Sequence, residues 1–90
     1  MKLYEVTTVE LNHDKNDIRG EYQYFFGADF EAAKQAKADL ITRNENHLTP
    51  REKEVQFVEA RIYEISDDVD LSDDEAVIDA ICECGGYDTF

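Results

Sequence analysis

The sequence lacks any long apolar run, and no stretch approaches the ~18 consecutive apolar residues that are needed to span a bilayer. It has only two cysteines, Cys82 and Cys84. A disulfide between residues this close would form a small, strained ring, so the pattern does not fit a secreted, disulfide-stapled scaffold. No apolar segment of a signal peptide follows Met1 and Lys2. These absences predict a soluble protein of the reducing cytoplasm.

Motifs that accompany common catalytic mechanisms are also missing. There is no glycine-rich phosphate loop, no nucleophile elbow and no metalloprotease helix. Acidic side chains are abundant, but general acid–base catalysis needs a pocket that shifts pKa values, and the pattern indicates none. We therefore expect no enzyme activity, no catalytic residue and no cofactor.

Cations are absent from the last third of the chain. The 90 residues include 22 Asp and Glu but 9 Lys and Arg, for a formal net charge of −13. Residues 1–61 carry 12 acids and 9 bases, whereas residues 62–90 carry 10 acids and no base. Because a polyanion repels phosphate, this balance argues against direct binding to nucleic acid or to an anionic membrane.

The size and composition are those of one folded domain. Hydrophobic residues make up 42% of the chain and aromatics 11%, which is more than disordered chains of low hydrophobicity carry. Ninety residues fit a single domain, because ~100–150 residues is the usual size. We expect one compact domain over residues 1–90, with no internal repeat and no long linker.

Three segments have the composition of β-strands. The first is predicted over residues 3–11, the second over 19–26 with Tyr22, Tyr24 and Phe26 on one face, and the third over 54–65. The first two form an antiparallel hairpin. A right-handed crossover then makes the third strand parallel to the second, so that it can pair antiparallel with the first in the order 2-1-3 or a close relative.

Two further segments have helical periodicity. The first helix begins after the N-cap Asp29 and ends at about Arg43 or Asn44, with a loop from there to Pro50. Its apolar stripe is alanine-rich, which allows close packing on a sheet. It comprises Phe30, Ala33, Ala36, Leu40 and Ile41. Lys37 falls inside this stripe and would have to extend outward.

The second helix is predicted from a capping box in which Ser72 is the N-cap and Glu75 occupies N3. Its apolar stripe comprises Val77, Ile78, Ile81 and Cys82, and Gly85–Gly86 end it. It either covers the second face of the sheet or leaves that face open. The fold class is therefore α+β, a small three-stranded antiparallel or mixed sheet with two helices in the order ββαβα.

The second helix has an unfavourable row of charges. Glu75, Asp79 and Glu83 are spaced i, i+4, i+8, and each such like-charge pair costs roughly 0.2–0.5 kcal/mol. Four residues of helix rise ~6 Å, which is similar to the separation of successive phosphates in a nucleic-acid strand. The row can therefore imitate a phosphate backbone, or it can be a solvated face that only keeps the protein soluble.

Metal binding is the weaker interpretation of the acidic residues. Asp68, Asp70 and Ser72 fall at positions 1, 3 and 5 of a calcium loop, but Asp73 replaces the required glycine and Asp79 the bidentate glutamate. Zinc needs about four ligands, and neither histidine is predicted to lie near the two cysteines. We expect no specific metal site. A divalent-ion sensor is a third hypothesis for the function, after the two given below.

In size, charge and ββαβα order, the chain resembles the small acidic inhibitors encoded by phages and mobile elements, including anti-CRISPR proteins and DNA mimics. The resemblance implies a noncatalytic inhibitor that docks on the basic, nucleic-acid-binding surface of a protein such as a host defence nuclease. The binding residues would be Asp68, Asp70, Asp74, Glu75, Asp79 and Glu83. The alternative is a small structural or regulatory domain that forms a homodimer through an open sheet face or edge strand.

Overall fold

Two ten-residue strands pair as an antiparallel hairpin. In a computed structural model that describes every residue from Met1 to Phe90, strand β1 spans Lys2–Leu11 and strand β2 spans Ile18–Gly27. In the turn between them, the side-chain amide of Asn12 donates a hydrogen bond of 2.8 Å to Asn16. The hairpin predicted from the sequence is confirmed, with strand ends within one residue of those expected.

A β-bulge at Tyr24 changes which side chains of β2 share a face. Gln23 and Phe25 pair with consecutive residues of β1, so Tyr24 between them has no partner in the register. Phe25 and Phe26 therefore pack into separate core clusters on opposite faces of the sheet. The prediction that Tyr22, Tyr24 and Phe26 share one face is wrong, because strict alternation fails at a bulge.

Helix α1 spans Phe30–His47 and begins as the sequence predicts. The carboxylate of Asp29 accepts a hydrogen bond of 3.1 Å from the backbone N–H of Ala32, as an N-cap does. The helix continues past its predicted end at Arg43 or Asn44, because no helix-breaking residue occurs before Pro50. Ala33, Ala36 and Leu40 are buried as expected, whereas Phe30 and Ile41 at the margins of the stripe are exposed.

A short helix replaces the loop that was expected before the third strand. Helix α2 spans Pro50–Val55, with Thr49 and Glu52 forming a reciprocal capping box. Pro50 lies in neither α1 nor β3, but it begins a helix where the sequence predicts a loop. Proline is favoured in the first helical turn, where a backbone N–H has no partner in any case.

Two more strands and one more helix complete the fold. Strand β3 spans Gln56–Glu64, helix α3 spans Asp74–Glu83, and strand β4 consists of Asp88–Thr89. All neighbouring strands are antiparallel, in the order β2-β1-β3-β4. The α+β class and the order 2-1-3 are confirmed. The sequence analysis missed α2 and β4, so the protein has four strands and three helices.

The core lies on both faces of the sheet. On one face, α1 covers a cluster built around Val6, Ala36, Leu40 and Ala60. On the other, α3 covers a cluster built around Leu3, Tyr63, Ile65 and Val77. Because these clusters flank the central strand β1, its side chains are among the most buried in the protein. None of the three helices has the length and apolar character needed to cross a membrane.

The last residues of the chain fold back onto the sheet. The ring of Phe90 lies 5.8 Å from that of Tyr4 and 5.5 Å from that of Phe30, centroid to centroid. Lys37 extends from α1 to donate a hydrogen bond of 2.5 Å to the carbonyl of Phe90. The cation expected inside the apolar stripe of α1 thus finds a partner at its edge.

Candidate partner-binding surface

Helix α3 is capped by Asp73 and not by Ser72. The Asp73 carboxylate accepts hydrogen bonds from the backbone N–H groups of Glu75, at 3.1 Å, and Ala76, at 3.3 Å. Ser72 instead turns back, and its backbone N–H and hydroxyl both donate to Asp70. The predicted Ser72–Glu75 capping box is wrong, because Asp73 is an equally good N-cap residue one position later.

The buried stripe of α3 is rotated from the predicted one. Val77 is buried, but Ile78 is 59% exposed and Cys82 is exposed as well. Cys84 is a free, partly exposed cysteine that packs against the core cluster, with its thiol 3.0 Å from the carbonyl of Ile81. Helix α3 therefore presents an isoleucine to solvent near its middle.

The six carboxylates predicted to bind a partner all lie on the surface. They belong to the loop between β3 and α3 and to the exposed side of α3 itself, and we call them the acidic surface: Asp68, Asp70, Asp74, Glu75, Asp79 and Glu83. None of them forms an ion pair with any cation of the protein. Their negative charge is therefore free to act on an approaching molecule.

Hydrogen bonds fix the two loop carboxylates of the acidic surface. The hydroxyl of Ser66 donates a short hydrogen bond to Asp68, and the hydroxyl of Ser72 donates one of 2.7 Å to Asp70. The hydroxyl and backbone N–H of Ser72 hold the pKa of Asp70 below its usual value. Asp70 is thus kept in its charged form.

The row of like charges predicted for the second helix is present on α3. Glu75, Asp79 and Glu83 are all exposed, and the last turn of the helix contains no basic residue. Glu83 lies at the end where the helix dipole disfavours a negative charge. The helix thus carries a charge arrangement that does not serve its own stability.

Metal coordination finds no geometric support in the side-chain arrangement. No group of three or more His, Cys, Asp or Glu side chains is placed so that it could hold one ion. The carboxylate of Asp70, which the calcium-loop comparison placed at position 3, is engaged by Ser72.

A second charged site was not found by the sequence analysis. On the face of the sheet that α3 occupies, Arg61 of β3 is surrounded by Glu5 of β1, Glu21 of β2 and Glu59 of β3, which we call the glutamate–arginine cluster. The guanidinium nitrogens lie 3.3 Å from Glu5, 2.5 Å from Glu21 and 3.1 Å from Glu59. Arg61 is only 8% exposed, so its guanidinium is largely shielded from water, whereas the side chain of Glu21 is 40% exposed.

Aromatic rings complete the surroundings of Arg61. Its guanidinium carbon lies 4.8 Å from the centre of the Tyr87 ring, a cation–π arrangement. The hydroxyl of Tyr63 donates a hydrogen bond of 3.2 Å to the same oxygen of Glu5 that faces Arg61. Tyr87 thereby joins the chain segment after α3 to the charged centre of the sheet.

Hydrogen bonds outweigh burial in the electrostatics of the glutamate–arginine cluster. Burial alone would lower the pKa of Arg61, but hydrogen bonds with Glu59 and Glu21 outweigh it and raise that pKa. The hydrogen bond from Arg61 in turn holds the pKa of Glu59 below its usual value. Three carboxylates share one guanidinium, so the cluster keeps an excess of negative charge.

The sequence contains only a weak signal for this cluster. Glu59 and Arg61 alternate with apolar residues on one strand, which is compatible with either an exposed or a shielded pair. Glu5 lies directly opposite Arg61 only because of the register between β1 and β3. Such a long-range pairing cannot be derived from local periodicity.

The largest surface cavity, of about 630 Å³, lies elsewhere, at the turn end of the hairpin beside α2. Its charged lining is balanced, with Lys15, Arg19 and Arg51 facing Glu10, Glu52 and Glu54. Arg19 and Glu10 already pair at 3.4 Å. This cavity therefore lacks the one-sided charge of the acidic surface.

Comparison of the chain with protein-family models, with curated proteins and with solved structures found no match.

Proposed function

We propose that the protein is a noncatalytic inhibitor that docks its acidic surface on the basic, nucleic-acid-binding surface of another protein. A protein that binds nucleic acid presents lysine and arginine side chains arranged for phosphates. The acidic surface offers carboxylates to those same side chains. This is the mode of action of a DNA mimic or of an anti-CRISPR-like inhibitor, and a host defence nuclease is a partner of the appropriate chemistry.

One observation supports the proposal above all others. The six carboxylates of the acidic surface are exposed, lack ion-pair partners, and belong to a third of the chain that contains no cation. On most protein surfaces charges of both signs are interspersed. A segregated anionic surface instead steers a cationic partner and repels other polyanions.

The row on α3 also has spacing suited to this role. Glu75, Asp79 and Glu83 lie at successive intervals of four residues, so their positions on the helix rise by ~6 Å each. Arginine side chains that normally contact successive phosphates can therefore contact successive carboxylates. Paired arginine and carboxylate groups form strong, charge-assisted hydrogen bonds.

Ile78 adds an apolar contact to the centre of this surface. It is well exposed, and Asp74, Glu75 and Asp79 flank it along the helix. Interfaces are commonly organised around a central side chain that is fully desolvated on binding, with polar groups around it. Such an anchor explains how an acidic surface can discriminate between basic partners.

Affinity capture with matched baits tests the proposal. Wild type and the Asp79→Lys/Glu83→Lys variant are immobilised and exposed to a nuclease-treated bacterial lysate, at low and at high salt. Asp39→Lys/Glu54→Lys is the control, because it makes the same charge change at exposed residues of α1 and α2. Retained proteins are then identified by mass spectrometry.

We expect wild type and the control to retain a nucleic-acid-binding protein that competing DNA or salt releases, and the Asp79→Lys/Glu83→Lys variant to lose it. Retention of the same proteins by all three baits would contradict the proposal. So would an absence of nucleic-acid-binding proteins among those retained by wild type.

Self-association is the second candidate, and the free edge of β2 favours it. This strand is ten residues long, lies at the edge of the sheet and exposes Ile18, Tyr22 and Tyr24. The bulge at Tyr24 interrupts the edge, which opposes regular pairing with a second copy. Sedimentation equilibrium distinguishes the two. A tight homodimer that persists in the Asp79→Lys/Glu83→Lys variant supports self-association, and a monomer argues against it.

A further inference from the structure

A groove lies between α3 and strands β1 and β2. Its volume is about 370 Å³, which lies within the range of ~300–1,000 Å³ that is usual for ligand pockets. We call it the α3 groove, and its lining residues come from β1, β2 and α3: Glu5, Gln23, Phe26, Asp74, Val77, Ile78 and Ile81. It borders both the acidic surface, through Asp74, and the glutamate–arginine cluster, through Glu5.

The apolar lining of the groove suits the hydrocarbon part of a long side chain. Phe26, Val77 and Ile81 belong to or pack against the core cluster beneath α3, so their positions are fixed by packing. Ile78 contributes a further apolar side chain that is exposed. Lysine and arginine commonly lay their aliphatic stems along such surfaces while the charged end reaches polar groups.

The polar lining is negative and incompletely paired. Both Arg61 and Tyr63 contact the Oε1 atom of Glu5, and the Oε2 atom has no hydrogen-bond partner in the protein. The second carboxylate of the groove, Asp74, forms no ion pair. The neighbouring glutamate–arginine cluster already has an excess of carboxylates over cations, so an additional cation would be attracted.

From this combination we infer that the α3 groove receives one arginine side chain of the partner, with its stem on the apolar lining and its guanidinium at Glu5 and Asp74. This inference rests on the proposed function and names the group of the partner that enters. A planar guanidinium can donate to two carboxylates at once, is weakly hydrated and stacks on aromatic rings such as Phe26. The ammonium of lysine does none of these as well.

A titration followed by NMR tests the inference without the partner. The uniformly ¹⁵N-labelled 90-residue protein is titrated with N-acetyl-arginine amide and, separately, with N-acetyl-lysine amide. We expect the arginine probe to shift the amide signals of Gln23, Asp74 and Ile78 most strongly, and the lysine probe to shift them less at equal concentration. Shifts confined to Glu75, Asp79 and Glu83, equal responses to the two probes, or no shifts at all would overturn the inference.

Variants make the site assignment specific. Asp74→Asn should weaken binding of the arginine probe about twofold to fivefold, as expected for an exposed charge pair. Asp14→Asn is the matched control, because it removes an exposed carboxylate that belongs neither to the groove nor to the acidic surface. Gln23→Arg places an arginine of the protein itself at the groove and should abolish the probe-induced shifts. Unchanged shifts in Gln23→Arg would overturn the inference.

The same variant separates this inference from the proposed function. Gln23→Arg leaves all six carboxylates of the acidic surface in place. If it captures the partner as well as wild type does, the groove is not used although the proposed function stands. If neither wild type nor Gln23→Arg captures a basic protein, the proposed function itself fails.

Discussion

At the scale of single residues, Arg61 has the most demanding position in the protein. It is a buried cation that neutralises part of the charge of three glutamates from three strands. A charge pair of this kind adds little compared with well-packed apolar residues, but removing one partner leaves the others uncompensated. Incorrect pairing of β1, β2 and β3 would leave charged groups of the glutamate–arginine cluster without partners.

Replacing Arg61 tests this role. Arg61→Met keeps a long side chain but removes the charge, so we expect the free energy of unfolding to fall by about 3–5 kcal/mol. The stability of Arg61→Lys should lie between those of wild type and Arg61→Met, because lysine retains the charge but not the planar donors. Urea denaturation measures the effect. Arg43→Met, at an exposed position without an ion pair, should change stability by less than about 0.5 kcal/mol. An equal loss of stability at both positions would contradict this role of Arg61.

The acid dependence of the cluster follows from Glu59. Its pKa in the folded protein is held below the ordinary 4.5 by the hydrogen bond from Arg61. Its charged form therefore contributes stability that is fully present above pH 4.5 and is lost as the pH falls through the lower folded pKa.

We expect Glu59→Gln to be less stable than wild type by about 1–3 kcal/mol at pH ~7, with the difference shrinking toward pH ~3. Urea denaturation across this range measures it. Glu54→Gln, at an exposed position without an ion pair, is the control and should show no such trend. A difference that does not change with pH would mean that the charge of Glu59 is not what stabilises the cluster.

At the scale of secondary-structure elements, α3 has a stabilising N-terminus and a destabilising C-terminus. Its N-terminus has Asp73 as a cap and two acids in the first turn, while its last turn contains Glu83 and no base. The first arrangement stabilises the helix and the second opposes it. The acidic end of α3 therefore does not stabilise the helix, and under the proposed function it serves binding.

The identity of the N-cap can be tested directly. Asp73→Ala should lower the free energy of unfolding by about 0.5–2 kcal/mol, because two backbone N–H groups lose their acceptor. Ser72→Ala should cost less than about 0.5 kcal/mol, since its hydrogen bonds with Asp70 are exposed. The reverse order, measured by urea denaturation, would restore Ser72 as the cap.

Reversing the charge at the end of α3 should separate stability from binding. Glu83→Lys places a cation at the favourable end of the helix dipole and removes repulsion with Asp79, so we expect a gain of about 0.3–1 kcal/mol in stability. Asp74→Lys in the first turn should instead lose a similar amount. Thermal unfolding monitors both. A loss of stability in Glu83→Lys would mean that this carboxylate is retained for the fold.

What the sequence reveals differs between elements. The long strands and α1 are predictable because hydrophobic periodicity and the cap Asp29 define them locally. Helix α2 was missed although Thr49, Pro50 and Glu52 are a standard helix start, because its six residues show no apolar stripe. Strand β4 has only two residues and is formed by pairing with β3, which no local pattern encodes.

The parts of the candidate site also differ in whether the sequence predicts them. The acidic, cation-free character of this surface could be predicted because it follows from the distribution of charge along the sequence. The glutamate–arginine cluster and the α3 groove depend on strand register and on how α3 lies against the sheet. The exposure of Ile78 also depends on that packing, since the helical periodicity alone placed it inside.

At the scale of the whole molecule, the dominant feature is the separation of charge along the chain. All nine lysines and arginines precede residue 62, and the sequence after it contributes only acids. In a molecule measuring 44 × 27 × 20 Å, six of these acids form the exposed acidic surface on α3 and on the loop before it. Steering by such a surface weakens as salt shortens the Debye length, from ~30 Å at 0.01 M to ~3 Å at 1 M.

Competition between this protein and duplex DNA for the captured partner tests the central claim most directly. A fluorescent duplex is bound to the partner, and its anisotropy is followed as wild type or the Asp79→Lys/Glu83→Lys variant is added. We predict that wild type displaces the duplex at low salt, less efficiently at high salt, and that the variant does not. Formation of a ternary complex, or equal displacement by the variant, would contradict the claim that the acidic surface occupies a nucleic-acid site.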